Sequence, residues 1–360
     1  MSKLKIYKVI KMRKLNAILL FFLALLFSGC PKSMDEYFES SATVWKNGEP
    51  QKLSDGTKNT TASSVFISDN DVYVAGMEAV EYGSVPRLWK NGVKQNLSNR
   101  RGNTNSVFVS NNDVYVVGLE WLNTTKRVAT LWKNGVPQQL IDGNISSEAK
   151  SVYVSGNDVY VAGHEYYEAN SIIAKLWKNG VAQNLSGATF NSGATSVYIS
   201  GSDVYVAGYI YNSKYRWIAT IWKNGEPQYL ANIDGDYSSF ARSVFVSDGD
   251  VYVAGYENTA SGGDVAILWK NGKAQFLTDG SRKTFASSVF VSENDVYVVI
   301  DEEVRNEDTD KIPWRNGKLW KNGEIQNLSN GIYEKYVSSV YVSGNDVYVS
   351  GNILERKCCR

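Results

Sequence analysis

The sequence predicts an all-β chain, a seven-bladed β-propeller of four-stranded blades whose last blade is closed by strands from both termini. Three observations predict it. The hairpin segment "SVFVSENDVYVV" at 288–299 has six close copies elsewhere in the chain. Between the copies, "WKNG" recurs at Trp45, Trp89, Trp132, Trp177, Trp222, Trp269 and Trp320, at spacings of 44, 43, 45, 45, 47 and 51 residues. A regular period of that size marks a solenoid, propeller or array. Finally, "VYVAG" and "SVFV" are apolar on both faces. A sheet covered on both sides needs that, and a blade between two blades supplies it, whereas a two-sheet sandwich would show polar outer faces.

Each element follows from local chemistry. Val, Ile, Tyr, Phe and Trp dominate the runs and favour strands. The turn "S-x-N-D" joins strand A (SVFVS) to strand B (DVYVAG). Asn-Gly in "WKNG", the strongest short hairpin signal, joins strand C to strand D. The first pair in the chain is a C–D pair at 42–53 and the last is an A–B pair at 339–351. Pairing these halves closes the ring and hides open edges. The repeated Asp of "NDVYV" reads as a turn residue bonding its own backbone, because calcium wants about 6–8 oxygens and each turn offers one carboxylate.

The "NDVYVAG" strands make 42–351 resemble bacterial seven-bladed propellers of the YVTN type; "LWKNG" is not part of that pattern. The resemblance implies the fold, and propellers host many unrelated activities.

The ends predict the compartment. Residues 1–29 carry Lys3, Lys5, Lys8, Lys11, Arg13 and Lys14 and no acidic residue, followed by the apolar run "AILLFFLALLF" at 17–27. That length suits a signal peptide and is too short for a membrane span, which needs about 20 residues. The run ends in "FSGC", which resembles the lipobox of bacterial lipoproteins and makes Cys30 the lipidated residue, although Phe27 stands where Leu is usual. Met12 offers a second start for the same leader. The expected organisation is a signal peptide at 1–29, an anchor and tether at 30–41, the propeller at 42–351 and a tail at 352–360. The expected location is the bacterial cell envelope. Asp35, Glu36 and Glu39 just past the Cys resemble those of some outer-membrane surface lipoproteins and favour that membrane.

Composition excludes several functions. The chain has 38 basic and 37 acidic residues, and without the leader's bases it is net acidic. With no basic block, nucleic acid is not an expected partner. The one histidine, His164, leaves little room for histidine catalysis or zinc. Cys358 and Cys359 sit together in a charged tail with no CxxC or histidine cluster. No metal or cofactor is expected.

The short repeated turns should share the bottom face and the long divergent links the top, so the top face is where function can sit. Its aromatic residues include Trp121, Tyr166, Tyr167, Tyr209, Tyr211 and Trp217, suited to protein or sugar contact. Glu78, Glu120, Glu165 and Glu257 recur two residues past the end of strand B, an acidic series that a base in strand C (Arg87, Arg127, Lys175) would neutralise. The residue before each strand A Ser-Val is polar and varied, and there Lys150 and Arg242 could meet an anion. The expected function is a lipid-anchored binding or scaffold protein that engages an envelope protein or glycan through this face. The alternative is a propeller enzyme, lactonase-, glycosidase- or lyase-like, with carboxylate chemistry near Glu165 and His164.

Overall fold

The structure, a computed structural model, describes residues 36–140, 145–167, 171–185, 191–260, 262–304, 314–328 and 333–358. The leader, Cys30 and Cys359 lie outside them. Every regular element among the described residues is a strand. The chain opens with β1 (Glu36–Lys46) and β2 (Glu49–Lys52). Blade 1 follows with β3 (Thr60–Ser68), β4 (Asp71–Val80), β5 (Gly83–Lys90) and β6 (Val93–Asn96), its strands A to D. Blades 2 to 6 repeat the plan as β7–β10 (102–139), β11–β14 (146–184), β15–β18 (192–229), β19–β22 (239–276) and β23–β26 (284–327). Finally β27 (Tyr333–Ser343) and β28 (Asp346–Cys358) join β1 and β2 in the order β2-β1-β28-β27. Seven four-stranded antiparallel sheets result, and the A strands contact one another in a closed circle. The fold is a seven-bladed β-propeller.

The propeller occupies Ser40–Glu355 as one compact unit. Of the second unit, Met1–Glu39 with Arg356–Arg360, only 36–39 and 356–358 are described, as the ends of β1 and β28. Strand structure thus runs past both limits expected from the repeat, 42 and 351.

Each repeated residue has one task. The "WKNG" tryptophans pack between blades and six of the seven are at most 1% exposed. The Asn-Gly pair adopts the left-handed conformation a type I′ turn demands, as at Asn91 (φ 50°) and Gly92 (φ 78°). Asn91 then ties the two turns of its blade: its Nδ2 donates to Asp71 at 2.7 Å and its Oδ1 accepts the Val72 N–H at 2.8 Å. Lys90 completes the knot, 2.7 Å from Asp71 and over the Tyr73 ring. Hydrogen bonds from Lys90 and then Asn91 hold the Asp71 carboxyl below the usual range. In blade 7 the same knot joins Asn47 and Lys46 to Asp346, and so closes the ring between residues about 300 apart. The repeated Asp is structural.

In blades 1 to 6 the Ser of "SV" serves the next blade. Ser64 accepts the Val107 N–H at 3.3 Å, Ser151 that of Val197 at 3.2 Å and Ser196 that of Val244 at 3.2 Å. The innermost strand is a sheet edge, and this belt satisfies donors that would otherwise stay unpaired. Two residues on, Phe66, Phe108, Tyr153, Tyr198, Phe245, Phe290 and Tyr341 form a closed ring, each centroid 4.7–4.8 Å from the next. Neighbouring planes differ by 47–53°, close to one-seventh of a turn (~51°). The rings therefore stand parallel to the channel axis and narrow it.

Candidate functional site

Above the aromatic ring the A–B ladder slips at one repeated place in every blade, and in blade 7 a second time between Glu334 and Tyr336. The slip falls between Ala62 and Ser64, Thr104 and Ser106, Ala149 and Ser151, Ala194 and Ser196, Ala241 and Ser243, Ala286 and Ser288, and Val337 and Ser339. The residue left over in each case is Ser63, Asn105, Lys150, Thr195, Arg242, Ser287 or Ser338. A β-bulge turns its extra side chain off the strand's alternation, and all seven of these line one cavity of about 800 Å³ at the channel mouth. Opposite the bulge the Gly of "VAG" lies close to strand A: a Cβ on Gly76 would lie 1.9 Å from the Thr61 carbonyl oxygen. Blade 6 alone carries another residue there, Ile300, and keeps the bulge, so the bulge does not require the glycine.

Blade 3 builds one wall of this basin. Buried Glu148 lies 2.5 Å from Lys150 and accepts from Asn105 Nδ2 at 3.1 Å. Burial raises its carboxyl, but Lys150, His164 and Asn105 outweigh burial and lower it. His164 Nε2 is 2.8 Å from the Tyr166 hydroxyl, and burial drives the imidazole down to about 4, so it is neutral at pH 7. Arg127 covers the Tyr166 ring at 4.0 Å. Burial, then the Glu148 charge, push the Tyr166 phenol up to about 12.

Blades 4 to 7 build an aromatic arc. Trp217 meets Tyr211 at 4.6 Å and Tyr209 at 5.0 Å; Tyr209 meets Phe240 at 5.3 Å. Phe240 stacks on Tyr256 at 4.9 Å, and Tyr256 meets Phe285 edge-on at 4.9 Å. Arg315 lies over Phe285 and Tyr336, at 4.7 and 4.9 Å. Arg242 lies over Tyr256 at 5.3 Å and donates to its hydroxyl at 3.3 Å. Beside them Asp301, 4% exposed, accepts the Val337 N–H at 2.8 Å and the Ser287 hydroxyl at 3.4 Å. Burial pushes this carboxyl up to about 7, against Val337, Arg315, Ser287 and Arg242, which all pull it down. In blade 7 the matching Asn352 accepts the Ala62 N–H at 2.9 Å, so an uncharged amide can do the same structural work.

The structure divides the residues expected from sequence. Tyr166, Tyr209, Lys150 and Arg242 line the basin. Tyr211 and Trp217 extend its arc outward. Trp121 lies under Arg101 at 5.2 Å and is not in the basin wall. Tyr167 donates to Glu165 at 2.9 Å, also outside the basin. Of the acidic series, none lines the basin. Buried Glu78 meets Lys94, Lys58 and Arg87; burial raises it, yet these three bring it to about 2. Glu165 pairs with Lys175 at 2.5 Å, Glu120 is buried, and half-buried Glu257 is raised by burial. Arg127 rests on Tyr166 at 4.0 Å. The expected catalytic grouping of Glu165 with His164 does not assemble, because neighbours in a strand face opposite ways. The acid beside His164 is Glu148, its cross-strand partner.

Sequence reading missed Glu148, Tyr256, Phe285, Asp301 and Arg315. The available signal was the residue directly after the strand B glycine (Met77, Leu119, His164, Tyr209, Tyr256, and Asp301 and Asn352 at the matching places), which varies in kind from blade to blade. Among the described residues no group of three His, Cys, Asp or Glu could hold a metal ion, and no helix is long and apolar enough to cross a membrane.

No family model matches the chain, and no curated protein matches it. Its similarities are to solved structures, and they carry the fold alone. A puromycin hydrolase matches with TM-score 0.52 at 10% identity over 79% of this chain and 49% of that one. An acylaminoacyl peptidase matches with TM-score 0.49 at 14% identity over 90% and 56%. The β-propeller domain of the trilobed protease from Pyrococcus furiosus matches with TM-score 0.46 at 13% identity over 83% and 97%. This chain thus spans about half of the two longer enzymes and nearly all of the isolated propeller domain.

Proposed function

We propose that this chain is a ligand-binding propeller of the bacterial cell envelope, anchored through a lipid on Cys30, whose channel-mouth basin holds an envelope glycan or protein. One observation carries the reading. The seven bulge residues occupy one repeated position around one cavity, yet they are serine, asparagine, lysine, threonine and arginine, while the Ser and Asp that flank the turn at the other end of the same strands are the same in all seven blades. Divergence at a cavity wall carried by a repeated strand is what specialisation for a ligand produces. The cavity volume, about 800 Å³, lies within the ~300–1,000 Å³ of small-molecule sites. A rigid ring presents these groups with little ordering cost on binding.

The test is capture from solubilised envelope and polysaccharide fractions by the full chain and two variants. One variant removes basin groups (Tyr166→Ala, Arg242→Ala, Tyr336→Ala) and the other removes outer aromatics (Trp121→Ala, Tyr211→Ala, Trp217→Ala). Material held by the parent and lost by the basin variant supports the reading. Material lost only by the second variant moves the contact to the loops, and no captured material refutes binding. Separately, Cys30→Ser should move the chain from the membrane to the soluble fraction.

Asp301 favours a second reading, an enzyme. A carboxyl titrating near 7 in a cavity is poised for general acid or base work. Turnover of a glycoside or lactone that Asp301→Asn abolishes would establish it.

A further inference from the structure

We propose that the basin wall built by blades 5 to 7 is a subsite for an acidic saccharide: Arg242 and Arg315 receive the carboxylate of a uronic-acid ring, and the aromatic rings beside them carry that sugar's apolar face. The proposal rests on the reading that the basin holds a ligand.

Many of the other cations already have a carboxylate. Each of the seven turn lysines lies 2.6–2.8 Å from its aspartate. Arg87, Lys175 and Lys318 each meet a glutamate. Within the basin Lys150 is neutralised by Glu148 at 2.5 Å, so it is not the partner of Arg242 that the sequence suggested. Among the basin-lining cations Arg242 and Arg315 differ; Arg101 and Arg127 also lie over rings but do not line the basin. Among the described residues neither Arg242 nor Arg315 has a carboxylate within 4.0 Å, and both lie over aromatic rings. The carboxylate of their surroundings, Asp301, turns its oxygens to the Val337 N–H and Ser287.

A guanidinium over a ring still offers N–H groups that match a carboxylate through two parallel hydrogen bonds. Arg242 spends one donor on the Tyr256 hydroxyl, which holds it in place and reduces what binding must order. Tyr256 and Phe285 provide flat apolar faces within the same wall, and Ser287 and Ser338 provide hydroxyls. A peptide carboxyl terminus would offer the same charge. However, an extended peptide needs backbone groups to pair with, and the A strands at the mouth already have their N–H groups matched by serines of the preceding blade, as at Val244 and Val289. The wall suits a ring with hydroxyls and one carboxylate.

The experiment is titration calorimetry of the full chain with trigalacturonate, its methyl ester and an acetylated tripeptide with a free carboxyl terminus. The parent should bind trigalacturonate at least tenfold tighter than the ester. Arg242→Gln and Arg315→Gln should each remove that preference with an unchanged melting temperature. Arg242→Lys, which keeps the charge and loses the fork, should retain part of it and covers the case in which a glutamine variant fails to fold. Asp301→Asn should increase the preference severalfold, since a nearby competing negative charge is gone while the acceptor for Val337 remains. Equal affinity for acid and ester overturns the proposal but leaves a ligand-binding basin intact. A preference that survives in both glutamine variants, binding of the tripeptide alone, or binding of none of the probes also overturns it. The basin reading itself falls only with the envelope capture, if nothing is captured or if the outer-aromatic variant alone loses the material.

Discussion

The two ends of each A–B strand pair obey opposite rules. At the turn end an Asp, an Asn, a Lys and a Tyr repeat the same knot in blade after blade, from Asp71 with Lys90 to Asp346 with Lys46. At the mouth end, about five residues along the same strand, the bulge holds a serine in one blade and an arginine in another. The strands, their partners and their packing are shared. What differs is what the side chain must do. A knot that closes a turn has one solution, and repetition keeps it. A cavity wall needs different groups at different places round one ring, and a bulge provides them without disturbing the ladder below.

If that contrast is sound, substitutions at the repeated end should act alike in every blade, and those at the mouth should depend on the blade. The largest effect belongs to the tryptophans. Trp222→Ala and Trp132→Ala remove side chains with 0% exposure and should each cost up to about 5 kcal/mol in denaturant melts. A difference of more than half between them would break the equivalence of the blades.

Next is Asp301. Its pKa is raised by folding from 3.8 to about 7, so the folded protein holds this proton where the unfolded chain has released it. Stability therefore falls as pH rises through that window, by up to about 4 kcal/mol. Asp301→Asn keeps the bond to Val337, so it should match the parent near pH 4 and exceed it above pH 7. Equal melting profiles at pH 8 would show that the carboxylate is not penalised.

His164 should give the reverse slope. Folding lowers its pKa from 6.5 to about 4, so the unfolded chain takes up the proton first and stability falls as pH drops from 6.5 to 4, by about 3 kcal/mol. His164→Gln should flatten that limb in pH-dependent melting. The smallest effect is in the serine belt. Ser196→Ala and Ser106→Ala each leave a backbone N–H of the next blade without its 3.2–3.4 Å acceptor, and each should cost about 1–2 kcal/mol. Unequal losses would show that the belt is not the same in all blades.

The fold was legible because its signals are local and repeated. Asn-Gly announces a turn wherever it stands, and a period in the forties with strand-forming runs leaves few architectures. Part of the site was legible too: Lys150 and Arg242 could be found as the varied residues before a constant Ser-Val. The rest was hidden by parity. A bulge shifts the alternation of inward and outward residues by one, and nothing in "AKSVYV" announces it. Glu148, two residues before Lys150 on the bulged strand, was therefore passed over; Glu165 lies on strand B, which has no bulge, and its repetition after "VAG" drew attention from its neighbour His164, which lines the basin. Asp301 was hidden because its character comes from burial and from two arginines distant in the chain. The aromatic ring was in plain view as the third residue of "SVFVS", but that seven such residues meet is a property of the closed circle, not of any one hairpin.

That ring has a further consequence. Seven centroids 4.7–4.8 Å apart lie on a circle of radius about 5.5 Å, and the ring atoms' own thickness of ~1.7 Å leaves a bore under about 4 Å in radius. The basin thus has a wide mouth and a narrowed floor. A bore less than about 8 Å across excludes a folded domain, so a macromolecule can reach past the basin only with a single chain or a projecting side group.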